Sequence, residues 1–285
     1  KDVYMPVKRM FASIFGPKFN MTITFVDGTD LQEIEDAVQD NTDLMILESP
    51  ATFVFKVVDL RAIAEIAHRR GFKTYIDNSC LSPIFQKPLD MGIDIVMHTM
   101  SKFIGGHSDI IGGVLVGKDE DMMRMIMTQM RELFGGIMGP MEAWLTIRGL
   151  RTLDTRTHTL EKTGMAVAEY LEHHEKVKKV YYTGLKSHPQ ADIIARQQKG
   201  HTSLMSFELV DENPETAIRL ANSLKLFLKG CSWGGHESLV ILPLLQEPDE
   251  AIELIGGKRG LIRIYCGLEG SDNLIADLEQ GLKQL

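Results

Sequence analysis

The chain has 285 residues, 44% of them hydrophobic and 25% charged, with 39 acidic against 31 basic side chains and a formal charge of −8. That length accommodates one large or two ordinary domains, and the acidity, with no run of Lys or Arg, argues against a nucleic acid or an anionic membrane as partner. No apolar run approaches the ~20 residues of a membrane span, and Cys80, Cys231 and Cys266 form no CxxC, so neither a zinc ribbon nor a disulfide framework is indicated.

In chain order, the opening KDVYMPVKRMF has no initiator Met and no signal-peptide pattern. It reads as a processed product or a piece of something longer, and the expected compartment is the reducing cytoplasm. Five short apolar runs then read as strands: MTITFVD (21–27), LMILESP (44–50), KTYIDNS (73–79), IDIVMHT (93–99) and GGVLVG (112–117). Helical patterns lie between the first three. Apolar residues recur at Leu31, Ile34 and Val38, and again at Leu60, Ile63, Ile66 and Ala67, where Asp59 is the N-cap and Gly71 the stop. Strands alternating with helices predict a mostly parallel sheet covered on both faces, running to about residue 120. Residues 121–141 hold seven of the 16 methionines, a composition suited to adaptable packing at a domain or subunit contact. One long helical stretch, from Met141 to His174, leads onward. Beyond it SLMSFELV (203–210) and GLIRIYCGLE (260–269) read as strands, NPETAIRLANSL and SDNLIADLEQGL as helices. The fold expected is α/β, with a large domain over residues 1–147 and a smaller α+β domain over residues 148–285.

Parallel sheets place their ligands at the carboxyl ends of strands. Two expected strands end in polar groups, one at Asp77-Asn78 and one at Thr99, Ser101 and Lys102, and both ends can face one crevice. A lysine amine can form a Schiff base with an aldehyde cofactor, a buried carboxylate can hold the ring nitrogen of pyridoxal phosphate protonated, and hydroxyls can bind its phosphate. Blander readings stand beside this one. A lone Lys after a strand is ordinarily a solvated loop residue, and Asp77 can simply cap a turn. His107 in GGHSD has no second ligand at metal-binding spacing and reads as a hydrogen-bonded histidine. IGGKRG (255–260) lacks the P-loop spacing, and the sequence has no GxGxxG, GxSxG or HExxH.

The stretch YIDNSCLSPIFQKPLDMGIDIVMHTMSKFIGGHSDIIGGVL resembles the cofactor-binding core of the Cys/Met-metabolism, or trans-sulfuration, pyridoxal-phosphate enzymes. The likeness continues in order through IRGLRTLDTR, YYTGLKSHPQ, CSWGGHESL and LIRIYCGLEGSDNLIADLEQGL, nearly the whole chain. The resemblance implies a fold type I transferase-like architecture, N-terminally incomplete here, with pyridoxal 5'-phosphate as cofactor. It makes Lys102 the Schiff-base lysine that also moves protons at the substrate, and Asp77 the partner of the pyridine nitrogen. It puts Thr99 and Ser101 on the phosphate, Arg263 on the substrate α-carboxylate, and Ser232 and Trp233 in the loop that seats the amino acid. It implies a homo-oligomer, dimer or tetramer. Family members carry a further N-terminal part, which supplies a tyrosine stacked on the cofactor, backbone amides to the phosphate and a Tyr/Arg pair for a neighbouring subunit's site. Thr52, where the γ-acting enzymes have Asn, and Trp233, where many have Leu, resemble the bacterial cystathionine β-lyase branch. The expected activity is a carbon–sulfur lyase that releases a thiol, pyruvate and ammonia from cystathionine or a related thioether. The alternatives are γ-elimination or γ-replacement on cystathionine or an O-acylhomoserine, and a non-catalytic truncated homologue.

Overall fold

The computed structural model describes residues 1–285. Helices α1 (Met5–Met10) and α2 (Gly16–Phe19), joined by further helical turns over residues 11–15, lead to α3 (Leu31–Ala37). A four-stranded sheet follows: β1 (Leu44–Glu48), β2 (Lys73–Asp77) and β3 (Ile95–Thr99) run parallel, and β4 (Gly113–Gly117) lies antiparallel on β3. Asp30 caps α3 by accepting from the amides of Gln32 and Glu33. Between β1 and β2, helix α4 (Leu60–Arg70) starts at Asp59, whose carboxylate accepts from the amide of Ala62, and stops at Gly71 with φ +84°. That left-handed C-cap suits glycine, which has no Cβ to clash. The face of α4 bearing Leu60, Ile63, Ile66 and Ala67 is buried against Leu47, Ile76 and Val96 of the sheet, which is why its apolar period is helical.

Short helix α5 (Ser82–Phe85) follows β2, and α6 (Glu120–Met125) follows β4. Then α7 (Pro140–Leu150) and α8 (Leu153–Glu172) lead to β5 (Val177–Tyr181), α9 (Ala191–Gln197), β6 (Leu204–Leu209), α10 (Pro214–Ser223), β7 (Leu228–Lys229), β8 (Leu239–Ile241), α11 (Asp249–Ile255), β9 (Ile262–Tyr265) and α12 (Ser271–Leu282). The second sheet has the order β5-β6-β9-β8-β7, antiparallel except for the β7–β8 pair. Its core packs Phe207, Ile262 and Ile264 against Val167, Leu171, Leu220, Leu274 and Leu278 from α8, α10 and α12. A third core joins residues from both sheets' surroundings: Phe103 and Ile104 after β3, Leu153 and Leu160 of α8, and Trp233 and Tyr265.

Three features differ from the sequence expectation. Residues 21–27 form no strand. They line a cavity of about 500 Å³ together with β1 but pair with no strand of the sheet, and a segment without a hydrogen-bonding partner is not a strand. The long helix of residues 141–174 is two helices. Gly149 lies so close to the turn after β3 that a Cβ there would stand 2.4 Å from the carbonyl oxygen of Ile104, and the chain bends off-helix at Thr152 (φ −114°, ψ 4°). In the methionine-rich segment Met127, Leu133 and Phe134 are all more than half exposed, while Met123 and Met138 lie against Gly117 and Gly112. Strands β5, β7 and β8 were not marked by any run in the sequence reading. No helix is long and apolar enough to cross a membrane.

One buried carboxylate ties α12 to the start of β7. Asp277 is 5% exposed and accepts from the amides of Lys225, Leu226 and Phe227 at 2.8–3.4 Å. Replacing Asp277 with Ala strands those donors and should destabilise the fold by about 3 kcal/mol. Urea denaturation checks this; an unchanged midpoint would mean that the three amides find other acceptors.

Candidate active site

Two parallel strands deliver polar ends to one edge of the first sheet. Asp77, the last residue of β2, pairs in register with Glu48 of β1 and Met97 of β3. In-register neighbours on parallel strands share a face, so Asp77 and Glu48 form a carboxyl pair. Asp77 accepts from the amide of Ser79 at 2.9 Å. The Ser79 hydroxyl in turn accepts from the amide of Thr99 at 2.7 Å, linking the ends of β2 and β3. Burial pushes the Asp77 pKa up, and the hydrogen bonds from Ser79 oppose that shift.

Gly112 gathers the hydroxyls that follow. The Thr99 hydroxyl donates to its carbonyl at 3.2 Å, and the Ser101 hydroxyl accepts from its amide at 3.2 Å. Thr99 thereby directs its proton to protein, whereas Ser101 keeps its own proton available to an incoming oxygen. His107 donates or accepts through Nδ1 at the Gly105 carbonyl, 2.7 Å away; with a carbonyl opposite, the ring nitrogen is the donor.

Lys102 sits in the helical turn after β3, at a kink with φ −104° and ψ −130°. Its Nζ donates to the Ser232 hydroxyl at 2.6 Å and lies 5.1 Å from the centre of the Trp233 ring. Trp233, 8% exposed, also packs on Phe103 with ring centres 5.5 Å apart. Burial, and then the positive charge of Arg263, lower the Lys102 pKa. Arg263 projects from β9, is 7% exposed, and donates to the Cys231 carbonyl at 2.7 Å. The structure thus brings Lys102, Ser232 and Trp233 into direct contact, with Arg263 anchored one residue away on the same loop. Thr99 and Ser101 meet through Gly112. Asp77 lies one strand over and makes no hydrogen bond to Lys102.

Sequence reasoning missed Glu48. Burial and the neighbouring Asp77 push its pKa up to about 8, while hydrogen bonds from the amides of Tyr4 and Thr52 hold it down; the Tyr4 amide is at 2.7 Å. The available signal was a carboxylate at the end of LMILE, the same place in its strand that Asp77 has in KTYID.

The donor set suits pyridoxal phosphate. A buried amine without a carboxylate partner can attack an aldehyde. A buried carboxylate whose only donor is Ser79 can face a cationic ring nitrogen. The arginine fork can take a carboxylate.

The chain matches the family described as Cys/Met metabolism PLP-dependent enzyme over residues 1–283. It is 35% identical to a cystathionine beta-lyase of Bacillus subtilis over 289 residues, covering 100% of this chain and 73% of that protein. It is 37% identical to an L-methionine gamma-lyase of Fusobacterium nucleatum over 273 residues, covering 94% of this chain and 69% of the relative. Its backbone is similar to the crystal structure of a cystathionine gamma-lyase from Lactobacillus plantarum complexed with L-serine, with a TM-score of 0.93 at 36% identity, over 99% of this chain and 74% of that one.

The carboxyl pair has a stability consequence. Glu48 ionises near pH 4.5 when unfolded but holds its proton to about pH 8 when folded. Folding is therefore penalised progressively as pH rises through that window. The Glu48→Gln variant keeps an acceptor for the Tyr4 amide and loses the penalty. Its melting temperature relative to the parent should rise between pH 5 and pH 8; a constant difference across that range would mean that Glu48 ionises freely in the fold.

Proposed function

Since the chain belongs to the Cys/Met metabolism PLP-dependent enzymes, we propose that it is a carbon–sulfur lyase that eliminates a thiol from the β-carbon of cystathionine or a related thioether amino acid. The observation that carries this reading is the Lys102 amine, held 2.6 Å from Ser232, with its pKa lowered by burial and by Arg263. Pyridoxal phosphate, when bound, supplies an electron sink for the substrate carbon that loses its proton. Asp77 would hold the ring nitrogen and favour its cationic form by charge. Thr99 and Ser101 are placed for the phosphate, where Ser101 has the free proton. Arg263 binds the substrate α-carboxylate through its planar fork, which fixes the orientation of the Cα–H bond.

Lys102 then takes the α-proton. An amine with a lowered pKa is closer to the ideal for a base working near neutrality. Ser232 sets the direction of its nitrogen, and Trp233 with Phe103 keeps water from it. The thiolate departs from the β-carbon, and the three-carbon remainder hydrolyses to pyruvate and ammonia. Thr52, whose amide and hydroxyl meet Glu48, and Trp233 over the amine support β-elimination. The methionine and cystathionine gamma-lyases among the relatives favour γ-elimination as the second reading. The exposed apolar residues over 127–144 support assembly with further copies of the chain.

Two measurements test this. Lys102→Ala should abolish the visible absorbance that appears on adding pyridoxal phosphate, and should slow turnover by at least about 10²-fold; absorbance that persists unchanged removes Lys102 from its role. Incubation of the loaded protein with cystathionine should release pyruvate, whereas 2-oxobutyrate would establish the γ-acting reading.

A further inference from the structure

Lys102 lies at a kink whose backbone is gripped from two sides. On one side is Arg156 of α8, 9% exposed. Its Nη1 donates to the Phe103 carbonyl at 2.7 Å, and its Nη2 to the carbonyls of Ile104 at 3.3 Å and Gly149 at 2.8 Å. Its Nε donates to the Thr152 hydroxyl at 3.0 Å. No carboxylate pairs with this guanidinium. A buried charge satisfied only by carbonyls and a hydroxyl is costly to maintain, so its geometry is the gain. It joins the two residues that follow Lys102 to the end of α7 and the start of α8.

On the other side is Gly234, with φ +87°. A Cβ there would stand 2.8 Å from the Phe103 nitrogen and 2.9 Å from the Lys102 Cα. The loop that carries Ser232 and Trp233 therefore rests directly on the Lys102 backbone. Gly106, φ +74°, completes the fit, since a Cβ there would come within 2.0 Å of the Arg156 guanidinium.

We infer that Arg156 and Gly234 are positioning residues that clamp the kink at Lys102 and so set where its amine stands. The inference deepens the proposed function and rests on Lys102 being the working amine. Arg156 ties the carbonyls of residues 103 and 104 to α8, and the close approach at Gly234 leaves the Lys102 backbone no room to move toward that loop. Displacing a reacting group by about 1 Å can cost ~10²-fold in rate, and neither residue needs to touch the substrate to have that effect.

The test uses protein loaded with pyridoxal phosphate and compares Arg156→Gln and Gly234→Ala with the parent and with Asp277→Ala, which weakens the fold far from Lys102. The readouts are the visible absorbance, the pH at which it changes, and kcat and KM for the thioether substrate. Both variants should keep visible absorbance, which verifies that Lys102 still attaches the cofactor. The pH midpoint should move, and kcat should fall by about 10- to 100-fold with KM little changed. If both variants match the parent, or change only as Asp277→Ala does, the clamp is merely structural and the inference is overturned. Should Arg156→Gln fail to fold, Gly234→Ala decides alone, because it leaves the guanidinium in place. Failure of the underlying reading is distinct: Lys102→Ala would then retain the absorbance, whatever the clamp variants do.

Discussion

A lysine amine works as a nucleophile or base near neutral pH only where water is excluded and no carboxylate is close enough to restore its charge. Lys102 approaches both conditions: it is half-buried and forms no ion pair with a carboxylate. Trp233 and Phe103 supply the apolar cover, and the hydrogen-bond partner is a hydroxyl, Ser232, which does not favour the ammonium as a carboxylate would. Nearby acids are engaged elsewhere. Asp77 accepts from Ser79, and Glu237 accepts from the Ser108 hydroxyl at 2.6 Å. The charge that acts most on Lys102 is instead the positive one of Arg263.

The same edge of the sheet sets two acids, Glu48 and Asp77, side by side in register. Both are pushed toward their neutral forms by burial. Two like charges on one low-dielectric face cannot both ionise cheaply, so one holds the proton. With Glu48 held up to about 8, it is the neutral member at pH 7. The Asp77 pKa is also raised by burial, and the hydrogen bonds from Ser79 oppose that shift.

Much of the fold was legible because its signals are local. The cap at Asp59, the stop at Gly71 and the apolar stripe of α4 depend only on residues within a few turns. Residues 21–27 misled for the converse reason: alternation reports which side chains share a face and says nothing of whether a partner strand lies within reach. The candidate site divides along the same line. Asp77 and Lys102 stand out as polar groups ending apolar strands. Ser232 meets Lys102 across 130 residues of sequence, and no spacing rule reaches that far, so Ser232, Trp233 and Arg263 were visible only through family resemblance. Arg156 ends the quoted motif IRGLRTLDTR, but among its polar neighbours nothing marks it as a buried residue that reaches the turn after β3.

The charge distribution follows from these placements. The chain carries a net −8, a field that repels anions in general. Around the amine, however, the buried charges are the cations Arg263 and Arg156, and carbonyls rather than carboxylates satisfy them. A buried guanidinium paired with a neutral acceptor retains most of its field, because nothing of opposite charge cancels it at close range. The attraction for a carboxylate is therefore confined to the last few ångströms of approach. A free anion gains nothing from the outer surface, while a zwitterion carries no net charge for that surface to repel, so the local cations act on it at short range alone.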